Sequence, residues 1–273
     1  MVSMDESGRI EKCFSALRLK DEKGFVAYIT AGDPSLAATV EMVRRLEEAG
    51  ADVVELGVPF SDPLADGRVN QDSAARALKN GVNLQGIFKT VEKIRRASDI
   101  PLVLFSYINP LMSPSFEKNM REAHAAGVDG VLILDLPVEE NRKYVRNLYE
   151  NRLNNVSLVT PTSPDERIRR IVKYSTGFVY CVSREGVTGM QKKLAPSATE
   201  LVKRTRRLTP LPVVLGFGIS TPEQASAAAR AADAVVVGSA IVDRFSREPQ
   251  NPMGRRRAAA WVKTLIKAVK SVE

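Results

Sequence analysis

One recurring phrase constrains the fold of this chain more than any other feature. An Ala-rich helical stretch ends, a short spacer carrying an aspartate follows, and a β-branched run begins. The phrase reads EEAGADVVELG at 47–57, AHAAGVDGVLILD at 123–135 and, more loosely, ARAADAVVVGS at 229–239. Each copy joins the end of a helix to a buried strand, the junction that arises when crossover helices link parallel strands. Candidate strands are GFVAYIT, DVVELG, PLVLFSY, GVLILD, NVSLVT, GFVYCV, PVVLGF and AVVVG. Each is followed by a helical pattern, at a spacing of roughly 20 to 45 residues. Eight βα units close a barrel, and one such barrel commonly takes about 250 residues. An open doubly wound sheet is the alternative, but its glycine-rich first βα turn is not matched by TAGDPS.

The expected architecture is therefore α/β: a single (β/α)8 TIM barrel, one domain over residues 1–273, with an extra N-terminal helix and an inserted helix after strand 2. In RIEKCFSALR, Ile10, Cys13, Phe14 and Leu17 fall at helical spacing and present an apolar side to the barrel's N-terminal end. NQDSAARALKNG and NLQGIFKTVEKIRRA are both helical in pattern and break at Gly81.

Composition narrows the function classes. Of the 273 residues, 44% are apolar and 26% charged, ordinary globular values, and the two cysteines, Cys13 and Cys181, suggest buried thiols with no disulfide or zinc pattern. The net charge of +8 is scattered over helical faces, and aromatics, at 6%, do not interleave with Arg or Lys, so nucleic acid is not an expected partner. No apolar run is long enough to span a bilayer, and MVSMDESGRIEK lacks a signal-peptide core, which makes a cytoplasmic location the expectation and a membrane partner unexpected. GRRRAAAWVKTLIKAVK reads as a solvated outer helix, so neutralising Arg255, Arg256 and Arg257 is expected to leave function unchanged.

Barrels of this kind carry their chemistry at the C-terminal ends of the strands. That rule draws attention to ELGVPFSDPLADG, where Glu55 lies near the end of strand 2 and Asp62 and Asp66 follow on a proline-stiffened loop. An acid within an apolar strand is costly unless it is paired or useful, whereas Asp62, in SDP, reads as a turn residue. Glycine-bearing loops follow the last strands: GFGIS before the helix at TPEQ, and VVVGSA leading into a helix near Gly238. Glycine admits close backbone approach and helix N-termini attract anions, so these loops suit a phosphate. SREGVTGMQKK, with Arg184 and Thr188, has the makeup of a lid. The sole histidine, His124, falls before strand 4 at the wrong end of the barrel. No strand ends in a Schiff-base lysine and no cluster suggests a metal, which leaves carboxylates for proton transfer, with Tyr28, Tyr107 and Tyr180 near strand ends either assisting or packing.

Taken together, YITAGDP, ELGVPFSDPLADG, NPL, DLPVEE, SREGVTG, GFGIS and VVVGSA resemble, in the same order, the α subunits of tryptophan synthase over nearly the whole chain. The resemblance implies cleavage of indole-3-glycerol phosphate to indole and glyceraldehyde 3-phosphate. It assigns catalysis to Glu55 and Asp66, phosphate binding to Gly189, Gly218, Gly238 and Ser239, and the substrate pocket to Tyr28, Phe105, Tyr107, Tyr180 and Phe217. Thr188 resembles the lid threonine that meets the aspartate on closure. It further implies no cofactor in this chain and a pyridoxal-phosphate β subunit as partner in an α2β2 complex. Asp62 and Pro63 then belong to the partner-facing loop. A stand-alone lyase and a non-catalytic phosphate-ligand-binding subunit are the alternatives. One departure is ADGRVNQ, where the family usually has proline after ADG; Arg68 adds a cation within reach of Asp66, where a pairing would either misplace the carboxylate or deepen its charge.

Overall fold

The computed structural model describes residues 8–182, 196–216 and 218–272. The first half of the chain runs α1 (Arg9–Leu19), β1 (Gly24–Thr30), α2 (Leu36–Ala49), β2 (Val53–Gly57), α3 (Arg68–Lys79), α4 (Leu84–Arg95) and β3 (Leu102–Ser106). Next come α5 (Ile108–Met112), α6 (Phe116–Ala126), β4 (Gly130–Ile133), α7 (Asn141–Glu150), β5 (Asn154–Val159) and α8 (Asp165–Tyr174). The chain continues through β6 (Val179–Val182), α9 (Pro196–Arg206), β7 (Val213–Gly216), α10 (Pro222–Ala231), β8 (Ala234–Val237), α11 (Ser239–Arg247) and α12 (Pro252–Lys270). Each strand pairs in parallel with the next, and β8 returns to β1, so the sheet closes into an eight-stranded barrel.

The strands are buried on both faces, which is why they read as near-continuous apolar runs rather than as alternating ones. One parity faces the lumen: Val26, Val53, Val103, Val156, Val214 and Val236 belong to a single inner cluster. The other parity, including Phe25, Ile29, Leu56 and Leu104, packs beneath the helices. Helix α1 closes the N-terminal end as its spacing predicts, with Ile10, Phe14 and Leu17 buried in the inner cluster and the Phe14 ring 5.6 Å from that of Phe178. Cys13 is only half-buried on this helix, and its thiol, pushed up to about 12 by burial, donates to the Asp52 carbonyl at 3.5 Å. Cys181 is fully buried.

The repeated phrase has a structural reason. In each copy the aspartate stands at the entry to its strand, and its carboxylate accepts a backbone N–H from the strand before it. Asp52 takes Phe25 N at 2.7 Å, Asp129 takes Leu102 N at 2.8 Å and Asp233 takes Val213 N at 2.8 Å. Each carboxylate also meets a cation from a neighbouring helix: Lys270 at 2.9 Å, Arg95 at 2.7 Å and Arg206 at 2.6 Å, respectively. A short polar side chain thereby ties a strand start, its neighbour and the outer helices at one point.

Two elements differ from the sequence expectation. The NPL segment forms a short helix, α5, whose first N–H is held by Asp135 Oδ1 at 2.7 Å, so β4 stops at Ile133 and Asp135 serves as a cap from outside the helix. Helix α12 is not simply solvated. It buries Ala258, Val262, Leu265, Ile266 and Val269, and Arg255, only 12% exposed, pairs with Glu41 of α2 at 2.7 Å. Arg256 is exposed as expected, whereas Arg257 meets Glu248 at 2.8 Å.

Candidate active site at the barrel mouth

Glu55 is the central residue of β2, between Val53 and Gly57 in the lumen parity and level with Tyr28 on β1 and Val103 on β3. Its exposure is 0%, and neither carboxyl oxygen has a hydrogen-bond partner among the described residues. Burial favours the neutral acid and raises its pKa to about 8, so Glu55 carries a proton at neutral pH. The phenols of Tyr28 and Tyr180 stand in the same low-dielectric space. Both are pushed well up, first by burial and further by the nearby carboxylates. Two glycines make room for them. A Cβ at Gly57 would lie 2.2 Å from the Tyr28 hydroxyl, and one at Gly216 would lie 2.4 Å from the Tyr180 hydroxyl. Tyr28 also meets Phe105 edge-on, with ring centroids 5.0 Å apart.

Asp66 approaches from the loop between β2 and α3. Turns hold that loop: Leu64 N donates to Asp62 O and Asp66 N to Pro63 O, both at 3.0 Å. The Tyr107 hydroxyl accepts Ala65 N at 2.8 Å and donates to Asp66 Oδ2 at 3.1 Å. Asn70 Nδ2 donates to Asp66 Oδ1 at 3.4 Å, and Gln71 Nε2 to the Asp66 carbonyl at 2.8 Å. Burial pushes the Asp66 carboxyl up, and the Asn70 and Tyr107 bonds oppose that shift. Arg68 settles its own question by turning outward: it is 85% exposed and pairs with Asp72 at 3.0 Å, not with Asp66. Asp62 is exposed in the turn.

Across β1 from this loop, Gly238 follows β8 and precedes α11, whose first residue is Ser239, and Gly218, beyond β7, adopts φ +78°. The two nearby helix N-termini differ in their spare donors. Helix α10 is closed by a Thr221–Gln224 capping box, whereas α11 has no side-chain cap and its Ile241 N–H turns back to Gly238 O at 2.8 Å, which leaves the N–H groups of Ser239 and Ala240 as its donors for an anion. Gly238 abuts the Tyr28 ring, which places this end beside the Glu55 layer. Arg184, Thr188, Gly189 and Phe217 lie outside the described residues.

Glu55, Tyr28, Phe105 and Tyr180 thus share the lumen, with Asp66 and Tyr107 above them on the β2–β3 side. Sequence reading missed four neighbours. Leu134 and Leu158 pack on the inner cluster, and the alternation beyond Leu132 and Val156 carries the signal for them. They also border a cavity of about 350 Å³ lying toward α7 and α8, which neither Glu55 nor Asp66 lines. Asn70 and Gln71 hold the loop that carries Asp66, and no short-range pattern marks them. His124 is exposed on α6, on the approach to β4, in keeping with a surface role. Among the described residues, no group of three or more His, Cys, Asp and Glu side chains could hold a metal ion, and no helix is long and apolar enough to cross a membrane.

Comparison with known proteins gives the family. The family described as tryptophan synthase alpha chain matches residues 14–270. The chain belongs to that family. It is 45% identical over 261 residues to the tryptophan synthase alpha chain of Geobacter sulfurreducens, covering 96% of this chain and 98% of that one. A 43% identity to the Caulobacter sp. alpha chain covers 96% of each. Among solved structures, Mycobacterium tuberculosis tryptophan synthase superposes with a TM-score of 0.88 at 33% identity, covering 97% of this chain and 99% of that one. Tryptophan synthase subunit alpha of Legionella pneumophila gives 0.87 at 30% identity, covering 97% and 100%. As a tryptophan synthase alpha chain, the protein is a carbon–carbon lyase of tryptophan biosynthesis that cleaves indole-3-glycerol phosphate, and the family implies a β-subunit partner.

Proposed function

We propose that Glu55 and Asp66 carry out this cleavage within one barrel acting as a single unit, and that the buried, unpartnered Glu55 carboxyl is the group on which the reaction turns. Glu55, protonated at neutral pH, donates its proton to indole C3, and positive charge develops at the ring nitrogen. The Asp66 carboxylate accepts the ring N–H and stabilises that charge. Glu55, now ionised, takes the proton of the adjacent side-chain hydroxyl as the bond from C3 to the carbinol carbon breaks. The bonding electrons return to the ring, the carbinol carbon becomes the aldehyde of glyceraldehyde 3-phosphate, and Glu55 ends protonated as it began. The step needs no external acid, base or redox partner.

The phosphate is assigned to the uncapped start of α11, at Gly238 and Ser239, together with Gly218 and Gly189, and the rest of the substrate is assigned to Tyr28, Phe105, Tyr107, Tyr180 and Phe217. Thr188 and Arg184 belong to the lid. No cofactor is assigned to this chain, and pyridoxal phosphate belongs to the β subunit of a cytoplasmic α2β2 complex. Leu64 favours this partner-coupled reading over a stand-alone lyase. It is 82% exposed on the same loop as Asp66, so a subunit seated on Leu64 would reach Asp66 through that loop.

The test is indole release from indole-3-glycerol phosphate, with and without the cognate β subunit. Slow wild-type turnover that rises sharply with the partner is expected, with Glu55→Gln and Asp66→Asn each reducing kcat by at least about a thousandfold while still binding a phosphate analogue. Fast turnover alone would favour the stand-alone lyase. Binding without any wild-type turnover would mean a ligand-binding subunit.

A further inference from the structure

Asn70 is the third residue of α3, which has Gly67 as its N-cap, a position from which a side chain turns back toward the residues before the helix. Its Nδ2 lies 3.4 Å from Asp66 Oδ1, whereas its own Oδ1 is buried with no donor among the described residues. The amide keeps its bond to Asp66 although that leaves its own buried acceptor unpaired. Turning the amide over would bring its oxygen against the carboxylate, so Asp66 fixes its orientation.

We infer that Asn70 is a positioning residue for the lyase reaction, holding Asp66 Oδ1 from the first turn of α3 while the Tyr107 hydroxyl holds Oδ2. The inference rests on the reading of Asp66 as the group that faces the ring N–H. Each carboxylate oxygen accepts more than one bond, so the two donors fix the carboxylate and leave acceptor capacity toward the substrate.

Apart from the Tyr107 hydroxyl, the groups around Asp66 do not share this task. Tyr28 on β1 and Tyr107 beside β3 are phenols pushed up by burial, and Glu55 on β2 is protonated at neutral pH. On α3 itself, Arg68 and Asp72 pair with each other, and Asp62 on the loop is exposed. No cationic side chain among the described residues pairs with Asp66. Burial pushes its carboxyl up, and the Asn70 amide and the Tyr107 hydroxyl are what oppose that.

The experiment is the pH dependence of kcat/KM for indole release by the complex with its β subunit, for wild type, Asn70→Asp, Asn70→Leu and Asp66→Asn. Asn70→Asp is nearly isosteric, and an acid in the first turn of a helix is favoured, so this variant folds. It replaces a donor with a second carboxylate, and the acid limb is expected to move up by about one pH unit or more, with activity approaching wild type as pH rises. Asn70→Leu is expected to move the limb the same way by less, and Asp66→Asn to be inactive throughout. An Asn70→Asp profile that superimposes on wild type, or a loss equal at every pH in both variants, overturns the inference while leaving the role of Asp66 intact. Wild-type turnover by Asp66→Asn would instead remove the reading on which it rests.

Discussion

Glu55 has 0% exposure and no partner for either carboxyl oxygen, an environment that accepts a carboxylic acid far more readily than a carboxylate. The consequence for stability has a definite sign. Its folded pKa of about 8 lies above the ordinary value of 4.5, so between those values the folded state holds a proton that the unfolded chain has lost. The wild-type protein therefore loses stability as pH rises through that window. Glu55→Gln keeps the shape and cannot ionise. Chemical denaturation is expected to show the variant matching wild type near pH 4.5 and exceeding it by roughly 3–5 kcal/mol at pH 9; a difference that does not change with pH would contradict this. Glu55 was legible in the sequence because an acid inside an apolar run stands out from its neighbours. Asn70 was not, since its task depends on how the first turn of α3 folds back on Asp66. The direction of Arg68 was equally open until the helical register brought Asp72 alongside it.

The βα unit is the element in which sequence and structure agree most closely. A β-branched run, an aspartate at its entry and an Ala-rich helix before it give both the strand and its junction, and Asp52, Asp129 and Asp233 show why the aspartate recurs. Their contributions should differ with burial. Asp129 is 6% exposed and holds Arg95, itself 11% exposed, together with Leu102 N. Asp129→Ala leaves a buried guanidinium and an N–H without that acceptor, and an expected loss of about 3 kcal/mol follows. Asp233 is 38% exposed beside a 40% exposed Arg206, and Asp233→Ala is expected to cost about 1 kcal/mol. Urea denaturation of both variants checks the ranking, which equal losses would refute. One element and one buried face escaped sequence reading. Helix α5 spans only INPLM, too short to show periodicity and interrupted by a proline. In α12 the cations drew attention away from Ala258, Val262, Leu265 and Val269, whose helical spacing marks a buried face.

As a whole molecule, the barrel is closed at one end by α1 and presents Glu55 and Asp66 toward the other, so the lumen supplies both the core and the candidate site. The inner cluster keeps water from Glu55. The β2–α3 loop brings Asp66 in from outside, and its exposed Leu64 turns outward. The fold and the positions of Glu55 and Asp66 were legible because both depend on local patterns; how far the β2–α3 loop couples to a second subunit depends on contacts beyond the chain. The account stands or falls on Glu55 entering the reaction as a carboxylic acid. Isotope-edited infrared titration of the resting protein, with Glu55→Gln as reference, measures that state directly. A protonated carboxyl band is expected at pH 7, absent from the variant and lost with a midpoint near 8. A Glu55 carboxylate band already complete at pH 6 would contradict it.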